Sequence, residues 1–263
     1  MTFATDGLIT RLHEVGAGDK LINLITPDRG RIAVMVKGSR SPTSKLGALS
    51  QPFTYGNYEL YEKNGMFWLR GGSINYSFYP LTNDIVKLAL ATYLCDLANE
   101  LTDEGAECRD LLSLLLNSLF LLCNGKKRED QIKAVFEMRA AAMSGYLPEL
   151  RGCAYCHGLD SLLYLDVLGG KLICSDCFAK RGAKKPVYHP DMDEVYDGGA
   201  LCALSPSAAT ALRYITEAPD KKLFAFELKD EDDMWAMSKA AEAYILNHLG
   251  RGFDSLDFYH SVK

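Results

Sequence analysis

Four cysteines constrain the fold of this chain more than any other feature of its sequence. They form two Cys-x-x-Cys pairs, Cys153 with Cys156 and Cys174 with Cys177, and seventeen residues separate the pairs. Each pair places two thiolates on one tight turn, and two such turns that face each other can surround a metal ion tetrahedrally. This spacing is typical of a structural zinc site. The sequence therefore predicts one structural Zn²⁺ per chain, held by these four residues.

The residues between the two cysteine pairs predict a short β-ribbon. Gly169-Gly170 can turn the chain between two apolar segments, residues 162–167 and 171–173. We expect the segments to pair as strands and to carry the second cysteine pair back to the first. Little apolar surface lies inside this loop, so a metal would supply much of its folding free energy, on the order of 10 kcal/mol.

Other interpretations of the cysteines leave more unexplained. The sequence CAYCH, residues 153–157, also matches a haem attachment motif, but that motif requires an exported protein and ignores the second pair. A thioredoxin-like redox pair would follow a strand in a βαβ unit, which the sequence does not suggest. A catalytic zinc ion keeps one open position, and four cysteines leave none. The remaining cysteines are expected to be small buried hydrophobes: Cys95, Cys108, Cys123 and Cys202.

The first eighty residues carry a β pattern. Ile32, Val34 and Val36 alternate onto one face, and Asn64-Gly65 between two apolar segments predicts a hairpin with a type I′ turn. We expect about five strands in roughly 75 residues, which favours a small closed barrel over an open sheet. A long polar loop without a strand pattern covers residues 38–52.

After Pro80 the apolar residues recur at helical spacing, as Leu90, Leu94 and Leu97 show. Thr82 or Asn83 is the expected cap of the first helix, and further helices are predicted at 107–123, between Gly125 and Gly145, after Ser205-Pro206, and from Met234 towards His248. The predicted fold class is α+β. Its domains are a barrel at residues 1–80 and a helical domain at 81–263, with the zinc ribbon at 148–182 inserted.

The amino end shows no secretory signal pattern, and the most apolar stretch, residues 111–122, is about half the ~20 residues that a membrane span needs. We therefore expect a cytoplasmic protein with reduced thiols and no membrane contact.

Charge is distributed unevenly along the chain. The net charge is −5, but residues 1–80 hold nine basic and six acidic residues, a balance of +3, which leaves −8 for the rest. Cations flank the polar loop, and aromatic residues follow on adjacent predicted strands. Such a face can bind single-stranded nucleic acid. The alternative is a solvated sheet edge with the rings in the core. The cations are Arg29, Arg31, Lys37, Arg40 and Lys45, and the rings are Phe53, Tyr55, Tyr58, Tyr61, Phe67 and Trp68.

No catalytic site is predicted. The acidic run at residues 230–233 precedes a predicted helix, where carboxylates cap free amides and favour the helix dipole. The five histidines form no spaced ligand set, and no phosphate-binding loop or Ser/His/Asp pattern is present. The sequence therefore predicts a binding protein and not an enzyme.

Several segments together resemble the RecO family of bacterial recombination mediators. They are GLITRLHEVGAGDKLINLITPDRGRIAVMVKGSR, FTYGNYELYEKNGMFWLRGG, FEMRAAAMSGYLPELRGC, CAYCH and CSDCFAKRG, in this order along nearly the whole chain. The resemblance implies an OB-fold barrel followed by a helical domain that carries the zinc ribbon. Since not all members keep the four cysteines, the resemblance makes zinc a feature of this branch of the family.

The resemblance also implies a function in the RecF pathway of DNA repair. Such a protein would bind single- and double-stranded DNA, anneal complementary strands, and with RecR help RecA load onto DNA covered by single-strand-binding protein. It would bind the acidic C-terminal tail of that protein through its helical domain, and it would be associated with the nucleoid. The alternative is a zinc-ribbon protein-interaction or transcription-type adaptor without intrinsic DNA binding.

By position, Lys37 and Arg40 match the family's basic segment, and charge and proximity add Arg11, Arg31 and Lys45 as candidate DNA-binding residues. Arg139 is expected either to be a buried partner of a carboxylate or to contact an acidic tail.

Overall fold

A computed structural model describes residues 2–39, 44, 46–180 and 201–263. The chain forms two compact units. Met1–Lys126 and Phe253–Lys263 make up the first, and Lys127–Gly252 make up the second. The domain limits inferred from sequence, 1–80, 81–263 and 148–182, follow changes of pattern along the chain and stay a prediction.

The first unit contains a closed five-stranded barrel with the strand order β1-β2-β3-β5-β4. This arrangement confirms the predicted barrel and its α+β setting. The strands are β1 (Thr2–Val15), β2 (Asp19–Thr26), β3 (Gly30–Val36), β4 (Thr54–Lys63) and β5 (Met66–Ser77), and a short helix, α1 (Leu46–Leu49), lies between β3 and β4 in the chain.

Alternating side chains fill the barrel. Ile32, Val34 and Val36 are buried, whereas Ala33 and Met35 between them face outwards. The predicted hairpin between β4 and β5 is confirmed, because Asn64 and Gly65 both have positive φ, 53° and 73°. A type I′ turn requires this conformation at both central positions.

Three helices complete the first unit: α2 (Ile85–Glu100), α3 (Arg109–Asn124) and α8 (Asp254–Val262). The cap of α2 is Asp84, whose carboxylate accepts hydrogen bonds from the amides of Val86 and Lys87 at 3.0 and 3.1 Å. The expected cap at Thr82 or Asn83 was therefore wrong. A 3₁₀ turn at Tyr79–Asn83 occupies those positions, and the Thr82 hydroxyl donates to the Tyr79 carbonyl within that turn.

Polar contacts fix the barrel to α2. Thr10 is an extra residue in β1 relative to β2, and its hydroxyl meets the Asn99 side chain at 2.9 Å in a buried contact. The Arg31 guanidinium donates to the Asn99 carbonyl at 2.8 Å. Arg11 pairs with Asp96 at 2.5 Å. Side chains from two strands of the barrel, β1 and β3, therefore make polar contacts with the same helix, α2.

The turn between β2 and β3 lies against the loop between α2 and α3. The amide of Gly105 donates to the Arg29 carbonyl at 2.9 Å, and the amide of Cys108 donates to the Pro27 carbonyl at 3.0 Å. Gly30 in this turn has a φ of 60°, and a Cβ atom built there would overlap the Asp103 carbonyl oxygen. Only glycine permits so close an approach.

We expect Gly30→Ala to destabilise the protein far more than Gly16→Ala. Gly16 has a similar φ of 57°, but a Cβ atom there would meet nothing within 4 Å. The control should cost about 1–2 kcal/mol for the left-handed backbone alone, and Gly30→Ala should add roughly 1–3 kcal/mol of overpacking. Urea unfolding of both variants measures the difference. Equal losses would mean that the loop contact contributes nothing.

In its described residues, the second unit combines three longer helices and one short helix with a small sheet. The sheet has the order β6-β8-β7-β9, so the two predicted ribbon strands, β7 and β8, are confirmed and two flanking strands were missed. The helices are α4 (Glu129–Met143), α6 (Pro206–Glu217) and α7 (Glu231–Leu249); the strands are β6 (Glu149–Cys153), β7 (Leu163–Asp166), β8 (Lys171–Cys174) and β9 (Leu201–Leu204), and α5 (Ser175–Lys180) follows β8.

The predicted start of α6 is confirmed, whereas α7 begins at Glu231, three residues before the predicted start at Met234. The Ser205 hydroxyl accepts a hydrogen bond from the Ala208 amide at 3.0 Å, and Pro206 occupies the first turn of α6. The Asp230 carboxylate accepts from the Asp232 amide at 2.9 Å and caps α7. Asp230 therefore has the predicted capping role.

A buried ionic cluster joins α4 to α7. The Lys133 ammonium lies 2.9 Å from Glu137 and 2.6 Å from Glu242, and the Lys133 side chain is 1% exposed. Burial alone would lower the pKa of Lys133, but the two carboxylates outweigh it and raise that pKa above its ordinary value. Lys133 is therefore charged, and it neutralises carboxylates that would otherwise be costly to bury.

Arg139 lies on the same helix, and its side chain is 18% exposed. It donates to the Thr216 carbonyl and to the Asp220 carboxylate, both at 2.8 Å. Of the two roles expected for it, the structure shows the pairing with a carboxylate.

We expect Lys133→Met to cost about 3–5 kcal/mol of unfolding free energy, because it removes the buried ammonium group that lies 2.9 Å from the Glu137 carboxylate. Lys239→Met is the matched control. Lys239 lies 3.7 Å from the same Glu242 but is 30% exposed, so its loss should cost under about 1 kcal/mol. Chemical denaturation of the two variants decides the matter, and a similar small cost for both would contradict a stabilising cluster.

None of the helices among the described residues is long and apolar enough to cross a membrane.

Candidate nucleic-acid interface and cysteine cluster

Lys37 stands on a fixed turn at the rim of the barrel. It directly follows β3 and is exposed. The amide of Gly38 donates to the Asp19 carboxylate at 2.8 Å, and the Ser39 hydroxyl donates to the Val36 carbonyl at 3.3 Å. The backbone that carries Lys37 is thus tied to both β2 and β3, and its ammonium group extends from a rigid base into solvent.

A pair of stacked rings lies on the outer surface of the barrel. Tyr61 on β4 and Trp68 on β5 are direct strand partners, and their ring centroids are 6.3 Å apart with an interplanar angle of 17°. Both side chains are half-buried, and the adjacent Leu60 and Leu69 point into the core. The flat rings therefore face away from the barrel interior.

Met35 connects the rings to the rim. It is the partner of Trp68 in the parallel pairing of β3 with β5, and it precedes Lys37 by two positions. The outer face of β3, β5 and β4 therefore presents a thioether and two rings, and the exposed Lys37 lies on the turn that directly follows β3. We call Lys37, Met35, Trp68 and Tyr61 the ring face. Met35 could not be recognised from the sequence, since a parallel pairing of distant strands leaves no pattern in the neighbouring residues.

The other predicted rings do not belong to this face. Phe53 and Tyr58 are buried in the barrel, and the Tyr58 hydroxyl donates to the Thr54 carbonyl at 3.0 Å. Phe67 packs edge-on against Phe3 at 5.7 Å. Tyr55 is half-buried, and burial, with the nearby Asp6 carboxylate, raises its pKa. For Phe53 and Tyr58 the alternative interpretation, with the rings in the core, is therefore the one that the structure shows.

The predicted cations also divide. Arg11 and Arg31 make the contacts with α2 described above, so their guanidinium groups have protein partners. Arg29 lies over the Phe3 ring at 4.3 Å. Arg40 and Lys45 lie outside the described residues. Among the described residues, Lys37 is thus the predicted DNA-binding residue that is exposed and belongs to the ring face.

The four cysteines converge in the second unit. Their sulfur atoms all lie within 4.8 Å of one another, and the sulfurs of Cys156 and Cys174 are 3.5 Å apart. Cys153 ends β6 and Cys174 ends β8, two paired strands, whereas Cys156 lies on the turn after β6 and Cys177 lies in α5. The arrangement can hold a metal ion.

The thiols of the cluster influence one another. Burial would raise the pKa of Cys153, but backbone hydrogen bonds at Cys174, Cys156 and Tyr155 lower it to about 6. The neighbouring Cys174 and burial raise the pKa of Cys177 to about 12. One thiolate thus forms readily, and further thiolates so close together need a cation to compensate their charge.

The other four cysteines were expected to be buried, and two of them are fully buried while two are half-buried. Cys95 and Cys202 are buried, and Cys108 and Cys123 are half-buried. The Cys108 thiol donates to the Thr26 carbonyl at 3.1 Å. Burial is the main cause that raises the pKa of Cys108 and of Cys202 to about 11, so both stay protonated and unreactive near neutral pH.

Comparison with known proteins finds matches over most of the chain. Residues 1–78 match the family profile described as Recombination protein O N terminal, and residues 82–193 match the one described as Recombination protein O C terminal. A DNA repair protein RecO from Acetivibrio thermocellus is 30% identical over 260 residues, which cover 98% of this chain and 96% of the relative.

Two further relatives, also named DNA repair protein RecO, match about two thirds of the chain. The protein from Bacillus subtilis is 30% identical over 69% of this chain and 71% of the relative. The protein from Dehalococcoides mccartyi is 34% identical over 66% of this chain and 70% of the relative. With the OB-fold barrel and the cysteine cluster in place, the chain belongs to the RecO family of DNA repair recombination mediators.

Proposed function

We propose that the chain binds single- and double-stranded DNA through the ring face and anneals complementary strands. The observation that carries this proposal is the outward Tyr61–Trp68 pair, together with the exposed Lys37 two positions after Met35, the strand partner of Trp68. A cation that displaces counterions from phosphates gives affinity without sequence preference. Rings that stack on unpaired bases also accept any sequence. Both properties suit a protein that acts on any gap in DNA.

Within the same proposal, the chain works with RecR to help RecA load onto DNA covered by single-strand-binding protein, and RecA is engaged indirectly. The helical part would bind the acidic C-terminal tail of single-strand-binding protein. The protein would act by binding, without catalytic turnover, on nucleoid DNA in the cytoplasm. Of the predicted DNA-binding residues, Lys37 directly precedes the polar loop at residues 38–52, and Arg40 and Lys45 belong to that loop in the sequence. Arg11 and Arg31 would contribute mainly by holding the barrel on α2.

We also propose that the cysteine cluster holds one structural Zn²⁺. Four sulfur donors at tetrahedral spacing suit zinc better than magnesium, calcium or manganese, which prefer oxygen ligands. Cys153, Cys156, Cys174 and Cys177 would fill all four positions of the ion, so its role would be to stabilise the fold of β6, β8 and α5 around it.

Lys37→Glu should weaken binding to a single-stranded oligonucleotide roughly tenfold at low salt, and the slope of log affinity against log salt should fall by about 1. The double variant with Arg40→Glu should lose more. Lys221→Glu, an equal charge change at an exposed site in the second unit, is the control and should bind normally. Fluorescence anisotropy across a salt series measures both quantities. If the double variant bound the oligonucleotide with wild-type affinity, these two residues would not belong to the DNA interface.

The same titration separates the proposal from its alternative. An adaptor without intrinsic DNA binding predicts no affinity even at low salt.

A second readout uses Trp68 as a reporter. In a Trp235→Phe background it is the only tryptophan, and base stacking on the ring face should quench its fluorescence.

Cys174→Ser should abolish metal binding and lower the melting temperature, because it removes a buried ligand that stands at the end of β8. Cys123→Ser, at a half-buried site on α3, should keep one metal ion per chain and near-normal stability. Mass spectrometry of metal content and thermal unfolding monitor the two properties. If wild-type protein carried iron, or if Cys174→Ser retained one Zn²⁺, the structural zinc assignment would be wrong.

A further inference from the structure

A second aromatic surface lies at the other end of β5. Tyr79 is 65% exposed, Tyr76 is 40% exposed, and Phe120 is 42% exposed. Tyr79 is the most exposed of the large hydrophobic side chains among the described residues. We call Tyr76, Tyr79 and Phe120 the distal rings. They belong to three different elements, namely β5, the 3₁₀ turn after it, and α3, so no single segment of the sequence reveals them.

The distal rings are held in place by buried neighbours. The Tyr76 ring lies 4.7 Å from the ring of Phe78 and 6.0 Å from that of Phe120. Phe78 is 3% exposed, and its amide donates to the Phe53 carbonyl at 2.9 Å. The amide of Tyr79 donates to the Ser77 hydroxyl at 3.3 Å. These contacts fix the backbone of the surface while its rings face solvent, which is unfavourable unless a partner covers them.

Two cations lie near the C-terminal end of α3, the helix that carries Phe120. The Lys87 ammonium is near the C-terminal end of α3, 3.7 Å from where a Cβ atom on Gly125 would stand, and the exposed Lys126 follows directly. Asp84 is the acidic residue at the start of α2, and its carboxylate is engaged as the helix cap. Exposed rings, with ammonium groups at the end of the helix that carries one of them, are complementary to a ligand with flat apolar faces and negative charge. Single-stranded nucleic acid has this chemistry.

The distal rings are too far from the ring face to contact the same bases. Trp68 and Tyr76 are eight positions apart on β5, or about 26 Å for an extended strand at ~3.3 Å per residue. Extra residues in β5 at Arg70 and Asn75 shorten this span somewhat. The two surfaces thus stand at opposite ends of one strand, at a separation that the barrel fixes.

We infer that the distal rings, with Lys87 and Lys126, bind a second single strand, distinct from the one on the ring face. This inference rests on the proposed DNA-binding function. Annealing requires two strands on one protein with reduced phosphate repulsion, and two sequence-neutral surfaces on one rigid barrel supply that arrangement.

Photo-crosslinking can locate the two surfaces separately. Trypsin cuts after Lys63, Arg70 and Lys87, so Trp68 lies in peptide 64–70, and Tyr76 and Tyr79 lie in peptide 71–87. An oligonucleotide of 5-iododeoxyuridine should crosslink to both peptides when DNA is in excess. Crosslinks confined to peptide 64–70, with none in 71–87 or in the Phe120 peptide 110–126, would overturn the second site.

The functional test compares Tyr79→Ala and Phe120→Ala with Phe258→Ala. Phe258 is a ring on α8 of the same unit with a similar exposure of 46%, so it controls for the loss of any exposed ring. The two distal variants should anneal complementary oligonucleotides at least fivefold more slowly, while their affinity for one single strand stays within twofold. Tyr79→Phe should anneal normally, because stacking needs the ring and not the hydroxyl. Thermal unfolding confirms that each variant is folded.

The outcomes distinguish this inference from the function on which it rests. If Lys37→Glu loses DNA binding but both distal variants anneal at the wild-type rate, the DNA-binding function stands and the second site is wrong. The distal rings would then be a surface for a protein partner. If neither set of variants changes DNA binding or annealing, both proposals fail.

Discussion

The contacts on Asn99 hold the first unit together. Its side chain meets the Thr10 hydroxyl in the interior, and its carbonyl accepts the Arg31 guanidinium. Thr10 reaches α2 because it is the extra residue of a β-bulge, which turns a side chain away from the regular alternation of its strand. Ser255 on α8 donates to Asp96, one turn earlier on α2, at 2.8 Å. The barrel, α2 and α8 thus share one group of polar contacts. Because the Arg31 guanidinium takes part in these contacts, it is already engaged within the protein.

This use of arginine explains which predictions from sequence succeeded. Most features decided within about four residues were predictable, since turns and caps depend on local chemistry: the Asn64-Gly65 hairpin, the Ser205 cap and a cap from the acidic run before α7 are found. The cap of α2 is the exception, because a 3₁₀ turn at Tyr79–Asn83 moves it from Thr82 or Asn83 to Asp84. The role of a cation is decided by partners far along the chain. Arg11 meets Asp96, 85 positions away. Charge density indicated a basic region near the amino end but could not separate the exposed Lys37 from the arginines that contact a helix, because both look alike in a composition window.

The cysteine cluster shows the same division. Spacing alone named the four residues and the hairpin between them, because ligand geometry restricts spacing tightly. The flanking strands were not foreseen. β6 pairs with β8 in parallel through an irregular register, and β9 follows β8 only after a long interval. These strands surround the hairpin with a sheet in which Leu163, Leu165 and Leu172 are fully buried. The apolar core of this sheet therefore shares with any bound metal the work of stabilising the cluster.

The position of β5 links the fold to the proposed activity. Gly72 lies so close to β4 that a Cβ atom there would overlap the Asn57 carbonyl oxygen, which keeps the two strands in tight contact between Trp68 and Tyr76. A closed barrel resists bending, so the distance between the ring face and the distal rings cannot adapt to a ligand. Flexible single strands must adapt instead. Two fixed surfaces without base-edge recognition would accept any pair of sequences, and complementarity between the strands themselves would then decide which pairs are joined.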